Sequence, residues 1–372
     1  MRILRLYIQG CGVFKSNLID FTHNDEPQNL ICLAGVNGSG KTTVMELVFS
    51  LISFLDSNFQ GRFIADRLKP HVLTRTEFAQ LDILIDEEEL SIIWGDFDKK
   101  QGNCVQYLII TPRLSHSSTI QRNLFGISTT RERSLMRTPL LRRSRAGRVS
   151  SRIIYHIEKD SLQSLLKDMS ANNSVMNTTS PEVDPLPSIY FFNAHDREIN
   201  YIPYNYDDAQ LVLENPQKYQ LAGKYHPSED DLKRVLIFYE YAYPTEFEKL
   251  KSWINEHVLV DKSIEGIDRP NFEVIVRTQN GTTHGLELLS SGEESLLIVA
   301  IQCFLRASKN VVFMIDEVDQ SLHPEFQEKM MMLLTQLQKD TDCQIIVSSH
   351  SEIIWRMFDS QGLIDLTSVV MS

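Results

Sequence analysis

Hydrophobic and polar positions along the chain switch repeatedly between strand and helix spacing. Arg2–Gln9 alternates like a strand, Gly10-Cys11-Gly12 interrupts it, and Asn17–Phe21 resumes the alternation. Asn29–Ala34 is an apolar run that reads as a buried strand, and Val44–Leu55 takes up helical spacing. Phe78–Ile85 and Leu90–Trp94 flank the acidic turn Asp86–Glu89, and with Val105–Ile110 they predict an antiparallel meander. The pattern then dissolves from 113 to 187, where only Arg152–Ile157 reads as a strand and Leu162–Met169 as a short helix. Ser188–Phe192 returns to a buried strand, Asp231–Tyr243 and Glu246–His257 are helical, and Phe272–Val276 with the turn Gln279-Asn280-Gly281 makes a hairpin. Ser291 with Glu294 three residues on reads as a capping box. It opens a helix whose stripe is Leu296, Leu297, Ala300, Ile301 and Phe304. Val311–Ile315 and Gln344–Ser349 complete the set as buried strands. The alternation of apolar strands and helices predicts an α/β protein.

Composition narrows the class. The chain has 372 residues, 42% hydrophobic and 23% charged, which is ordinary for a globular protein with a full core. No apolar run approaches the ~20 residues of a membrane span, and the N-terminus lacks a signal-peptide pattern. Cys11, Cys32, Cys104, Cys303 and Cys343 are scattered without a C-x-x-C pair, so the expectation is reduced thiols in the cytoplasm and no zinc site. The net charge of −12 is unevenly spread. Arg113–Arg152 holds ten Arg, no Lys and one acid, a local balance of +9 that leaves −21 on the remainder. An acidic body argues against general coating of nucleic acid, yet the Arg segment could contact nucleic acid or an acidic partner.

Three stretches carry chemistry. Gly35-Val36-Asn37-Gly38-Ser39-Gly40-Lys41-Thr42 is a full G-x-x-x-x-G-K-[ST], placed between an apolar strand and a helical run as a phosphate loop requires. Backbone N–H groups freed by the glycines would wrap the phosphates, Lys41 would neutralise β/γ charge and the Thr42 hydroxyl would ligate Mg²⁺. Downstream, Val311–Ile315 runs into Asp316-Glu317. Asp316 would hold the Mg²⁺ water shell, and Glu317 would polarise an attacking water. A serine-glycine helix start at 290–292 also favours a phosphate.

In this order the stretches resemble the ABC/SMC/RecF class of ATPases, over roughly 1–110 and 188–360. Leu289-Ser290-Ser291-Gly292-Glu293 is similar to the class signature, and Val318-Asp319-Gln320-Ser321-Leu322-His323-Pro324 to its D-loop and L-H-P segment. Ser348-Ser349-His350 resembles its switch. The resemblance implies an ABC-type P-loop ATPase head: a mixed central sheet, an antiparallel β subdomain, a helical lobe and no long coiled coil. Expected boundaries are 1–112 for the N-terminal lobe, 113–187 for a basic insertion, 188–270 for the strand return and helical lobe, and 271–372 for the C-terminal lobe. ATP and Mg²⁺ are implied. Gly35, Asn37, Gly38, Ser39, Gly40, Lys41, Thr42 and Thr43 would hold the nucleotide on one side; Ser290, Ser291, Gly292, Glu293 and Asp319 of a second copy would close the other. Glu317 and His350 are the implied catalytic residues, and Thr42, Asp316 and Gln80 (as a Q-loop glutamine) the implied metal contacts. For Gln80 a plain polar strand residue is the competing reading. Arg197, after the strand Ser188–Phe192, sits where RecF-like and OLD-like ATPases carry an arginine, which makes it a candidate structural or nucleotide-side contact, with a surface salt bridge as the simpler expectation. His323 has a turn before Pro324 as its plain alternative.

The resemblance is strongest to the RecF/OLD-like (AAA15/AAA21-type) group. It implies a homodimer, or a larger assembly of dimers, whose biological task the motifs alone leave open. One expectation is the ATPase subunit of an antiphage system similar to Septu, PARIS or retron-linked ATPases, controlling a separate nuclease or toxin. The alternative is a RecF-like ATPase acting on DNA. A transporter is disfavoured because transporter signatures end in Gln where Glu293 stands. A self-contained OLD-type nuclease would need a Toprim domain after His350, for which 22 residues are too few.

Overall fold

The computed structural model describes residues 1–55, 71–85, 87–96, 105–112, 150–153, 186–197, 199, 204, 213, 215, 219–227, 231–259 and 261–371. The basic segment up to 149, the helix expected at Leu162–Met169 and most of the expected 113–187 insertion lie outside the described residues. The chain divides into two compact units: 1–27, 36–171 and 365–372 form one, and 28–35 with 172–364 form the other.

The first unit is built on a six-stranded sheet. Phe14–Asp20, Arg2–Cys11, Phe78–Ile85, Glu88–Asp96 and Val105–Pro112 pair antiparallel in that order, and Ser150–Ile153 adds a parallel sixth strand. Alternation is answered by burial in Arg2–Cys11 and Phe14–Asp20, whereas 79–83 and 90–95 are buried without a break. Ile3, Leu6, Ile8, Leu81, Ile83, Ile92 and Ile93 are buried. The helix Lys41–Ser53 turns Val44, Leu47, Val48 and Leu51 inward, and just past its end Phe54 stacks on Trp94 at 5.5 Å. Trp94 also donates its Nε1 to the carbonyl of Leu73 at 3.1 Å, so its buried polar atom is satisfied.

The second unit is organised around a parallel sheet in the order Ala222–Lys224, Ser188–Phe192, Val311–Ile315, Gln344–Ser349, Leu30–Ala34, with Leu363–Asp365 beyond it. The four pairings among the first five strands are all parallel. Every residue of Val311–Ile315 and Gln344–Ser349 is buried, as expected for strands covered on both faces. Placing Leu30–Ala34 here was not legible from linear boundaries: a five-residue apolar strand needs parallel neighbours, and Gln344–Ser349 supplies them in register from Ile345↔Leu30 to Ser349↔Ala34. A small sheet of Lys262–Asp268, Glu273–Thr278 and Thr283–His284 confirms the hairpin and adds a strand, Lys262–Asp268, that the pattern did not announce.

The helix Ser291–Arg306 runs through the core of this unit. Ile298 and Val299 are as buried as Leu296, Leu297, Ala300 and Ile301, so the helix is enclosed on all sides rather than along one stripe. Its cap lies one residue earlier than the spacing Ser291/Glu294 predicts. Ser290 is the N-cap: its Oγ accepts from the Glu293 N–H, while the Glu293 carboxylate accepts from the Ser290 N–H at 2.8 Å. Both spacings satisfy S-x-x-E; Glu293 wins because Lys262 on the adjacent sheet meets its other oxygen at 2.5 Å.

Candidate functional site

Three neighbouring strands of the parallel sheet end at one edge. Val311–Ile315 delivers Asp316 and Glu317, Gln344–Ser349 delivers His350, and Leu30–Ala34 delivers Gly35, the first residue of the phosphate loop. The carboxyl edge of a parallel sheet is where open α/β folds bind ligands.

Ser348 organises the acidic pair. Its hydroxyl donates to Asp316 Oδ1 at 2.6 Å and accepts the Glu317 N–H at 2.7 Å, and its carbonyl takes the Val318 N–H at 2.9 Å. Asp316 is 2% exposed and its own N–H donates to the Phe192 carbonyl at 2.9 Å. Glu317 adopts φ +47°, left-handed for a non-glycine residue, a strain on the order of 1 kcal/mol or more that the surrounding bonds must hold. Its Oε1 lies 3.5 Å from His350 Nε2. Asp319 turns back within the same chain, its two oxygens 3.3 and 3.4 Å from the His350 N–H. His323 caps the helix Pro324–Thr341 through its backbone, with the Phe326 N–H on its carbonyl at 2.8 Å.

The phosphate loop is described within the first unit. Gly38 and Gly40 have φ of +81° and +95°, conformations L side chains rarely adopt. Ser39 N–H and Lys41 Nζ both donate to the Val36 carbonyl, at 3.1 and 3.2 Å, which folds the loop on itself at the head of the helix. Nothing lies within 4 Å of where a Gly38 Cβ would stand. The loop thus has the open backbone cradle, the lysine and the Thr42 hydroxyl that a nucleotide phosphate with its cation requires. Among the described residues no group of three or more His, Cys, Asp or Glu is arranged to hold a metal. Mg²⁺ needs no such cage, since with nucleotides it uses one or two carboxylates, waters and phosphate oxygens.

At the signature, Ser291 is exposed as the first helical residue, and Gly292 behind it is buried. Glu293, expected among the nucleotide contacts, faces inward and is 7% exposed. Burial alone would raise its pKa, but Lys262 and the cap of Ser290 overrule it and hold the carboxyl below the usual range. Gln80 is likewise internal: its Nε2 donates to Asp82 Oδ1 at 2.9 Å, and Ser91 Oγ donates to the same oxygen at 2.7 Å. The plain reading of Gln80, a polar strand residue, describes its surroundings, and the structure adds that it is buried. Arg197 overturns the expected surface salt bridge and makes a structural contact instead. It is 7% exposed and among the described residues makes no surface ion pair; its Nη2 donates to the Glu317 carbonyl at 2.6 Å. Burial lowers its pKa to about 10, against the pull of Asp316, Asp319 and Glu317. Ser348, Lys262 and Arg197 were the working residues the sequence left without these roles. Only Arg197, after its apolar strand, carried a hint.

The sequence matches the AAA ATPase domain family over residues 1–355. No curated protein matches it. Among solved structures it is similar to the SMC head domain from Thermotoga maritima, at 16% identity and a TM-score of 0.44, covering 96% of this chain and 93% of that one. It is also similar to an SMC head bound to the C-winged helix domain of ScpA, at 14% identity and 0.44, covering 96% and 92%. A dimeric post-hydrolysis ATP-binding cassette bound to ADP and Pi is similar at 11% identity and 0.36, with 96% of each chain covered. With the family match spanning nearly the whole chain, and a phosphate loop and acidic pair built as described, the protein belongs to the AAA ATPase domain family and is an ATP-binding, ATP-hydrolysing enzyme.

Proposed function

We propose that this ATPase works as a nucleotide-gated dimer, in which the Ser290–Gly292 helix tip of each copy closes on the triphosphate held by the other copy's phosphate loop. The supporting observation is the shared sheet edge, where Gly35, His350 and the Asp316-Glu317 pair end side by side. In this reading Gly38, Ser39, Gly40, Lys41, Thr42 and Thr43 bind the phosphates, with Gly35 and Asn37 shaping the loop. Thr42 and Asp316 hold Mg²⁺, which when bound would neutralise charge developing on the β/γ oxygens. Glu317 takes the proton of the attacking water, and His350, 3.5 Å from its carboxylate, faces the γ-phosphate. The exposed Ser291 and the buried, capped Glu293 divide the signature into a contact and its support.

Glu317→Gln tests the reading. The variant is expected to bind ATP with unchanged affinity, to hydrolyse it at least ~100-fold more slowly, and to accumulate as an ATP-dependent dimer in sizing experiments. Normal turnover, or a strictly monomeric ATP-loaded variant, would remove respectively the base or the dimer.

For the biological task we infer control of a separate effector, a nuclease or toxin, as in the antiphage ATPases the motifs resemble. A RecF-like role on DNA is the alternative, with the Arg113–Arg152 segment as its contact. Co-expression with the neighbouring gene product decides: a stable complex supports effector control. Binding of DNA by the purified chain that falls steeply with salt supports the other.

A further inference from the structure

The buried guanidinium of Arg197 is over-equipped for the one bond it is seen to make. Nη2 donates to the Glu317 carbonyl, which also accepts the Gln320 N–H at 2.8 Å. Its Nε and Nη1 have no hydrogen-bond partner among the described residues, although the side chain is enclosed. A single tether to a carbonyl does not need a planar five-donor cation, and burying one carries a desolvation penalty that depresses its pKa.

What lies on its other side gives the reason. Arg197 lines a cavity of about 340 Å³ with Ser291, Glu294 and Ser295 from the signature helix and Gln320 from the turn after Glu317. Ser295 Oγ and Gln320 Oε1, both buried, also have no partner among the described residues. Glu294 adds a carboxylate to the same walls, and Asp316, Asp319 and Glu317 act on the guanidinium electrostatically. One rigid side chain therefore touches the backbone that aims Glu317 and borders the space beneath the helix tip.

We propose that Arg197 is a positioning residue that holds Glu317 in its left-handed conformation and relays contact at the Ser291 tip to that carboxylate. This rests on the dimer reading above. Within one chain Glu317 serves the nucleotide of its own phosphate loop, whereas Ser291 serves the partner's, so Arg197 joins the two sites. When a triphosphate draws the tip toward it, the cavity walls shift against the guanidinium. The Glu317 carbonyl follows because it is bonded to it.

The test compares Arg197→Gln and Arg197→Lys in the full chain. Arg197→Gln is expected to lower kcat by about tenfold or more while KM for ATP stays within about twofold, because a misaimed base loses transition-state contacts and not binding. Arg197→Lys keeps one donor and a charge, and should fall between wild type and Gln. The rise in turnover per chain with protein concentration, expected of a dimer, should be blunted in both. In the Glu317→Gln background, Arg197→Gln should still form the ATP-dependent dimer. If Arg197→Gln fails to fold by circular dichroism, Arg197→Lys carries the comparison: reduced kcat at constant KM supports the proposal. A wild-type kcat and concentration dependence in either variant overturns it, as does a raised KM with kcat preserved. Absence of the dimer in Glu317→Gln alone instead overturns the dimer reading, so the two failures are distinct.

Discussion

At the scale of single residues, the site depends on backbone conformations that side chains normally refuse. Gly40 has φ +95°, and a Cβ there would stand 2.5 Å from Phe14 Cε2. Alanine must therefore both adopt a left-handed geometry and displace a buried aromatic ring. Left-handed strain of ~1–2 kcal/mol and overpacking of ~1–3 kcal/mol together predict a loss of roughly 2 kcal/mol or more for Gly40→Ala, read as a lowered unfolding midpoint in urea, with ATP binding weakened. Glu317 carries a similar conformational cost without being glycine, which the proposed role of its carboxylate would require. Ser348 fixes its N–H and Arg197 its carbonyl, so the strain is held from both sides.

At the scale of elements, the helix Ser291–Arg306 is held by its cap as well as by its enclosed core. Glu293 closes the capping box with Ser290 and pairs with Lys262 on the strand Lys262–Asp268, so one carboxylate ties helix start to sheet. Its pKa is held below the ordinary value of 4.5, so its contribution to stability is fully present above that pH. The contribution is lost as pH falls through the lower, folded-state value. Thermal unfolding measured from pH 7 downward should lose stability below about pH 4.5, and Glu293→Gln should remove part of that acid slope while costing ~1 kcal/mol or more at pH 7.

At the scale of the whole molecule, the proposed division of labour between copies makes complementation the decisive observation. Ser291→Arg should block hydrolysis with both phosphate-loop and acidic residues intact, and Glu317→Gln should block it with the helix tip intact. Mixed in equal amounts, the two inactive proteins form some dimers in which one site draws Glu317 from the first and Ser291 from the second. ATPase activity of the mixture is expected to recover to roughly a quarter of wild type, as random pairing of two chains dictates. No recovery, with heterodimers demonstrated by differently tagged copies, would mean that each site is complete within one chain.

The sequence by itself determined the more strongly apolar elements and the chemistry that depends on local order, but not strands such as Lys262–Asp268. A glycine-rich loop between strand and helix, an apolar strand ending in Asp316-Glu317 and a strand ending at His350 were all legible, because phosphate and Mg²⁺ binding require those residue types at fixed spacing along one segment. Tertiary structure alone decided which groups serve one another across segments. It chose Glu293 over Glu294 for the cap because Lys262 is 31 residues away in sequence and 2.5 Å away in space. It assigned Ser348 to Asp316, committed Gln80 to Asp82, and buried Arg197 against the carbonyl of Glu317, 120 residues on. No periodicity records such pairings, since a polar side chain takes its role from whatever donor or acceptor the fold carries to it once water is gone.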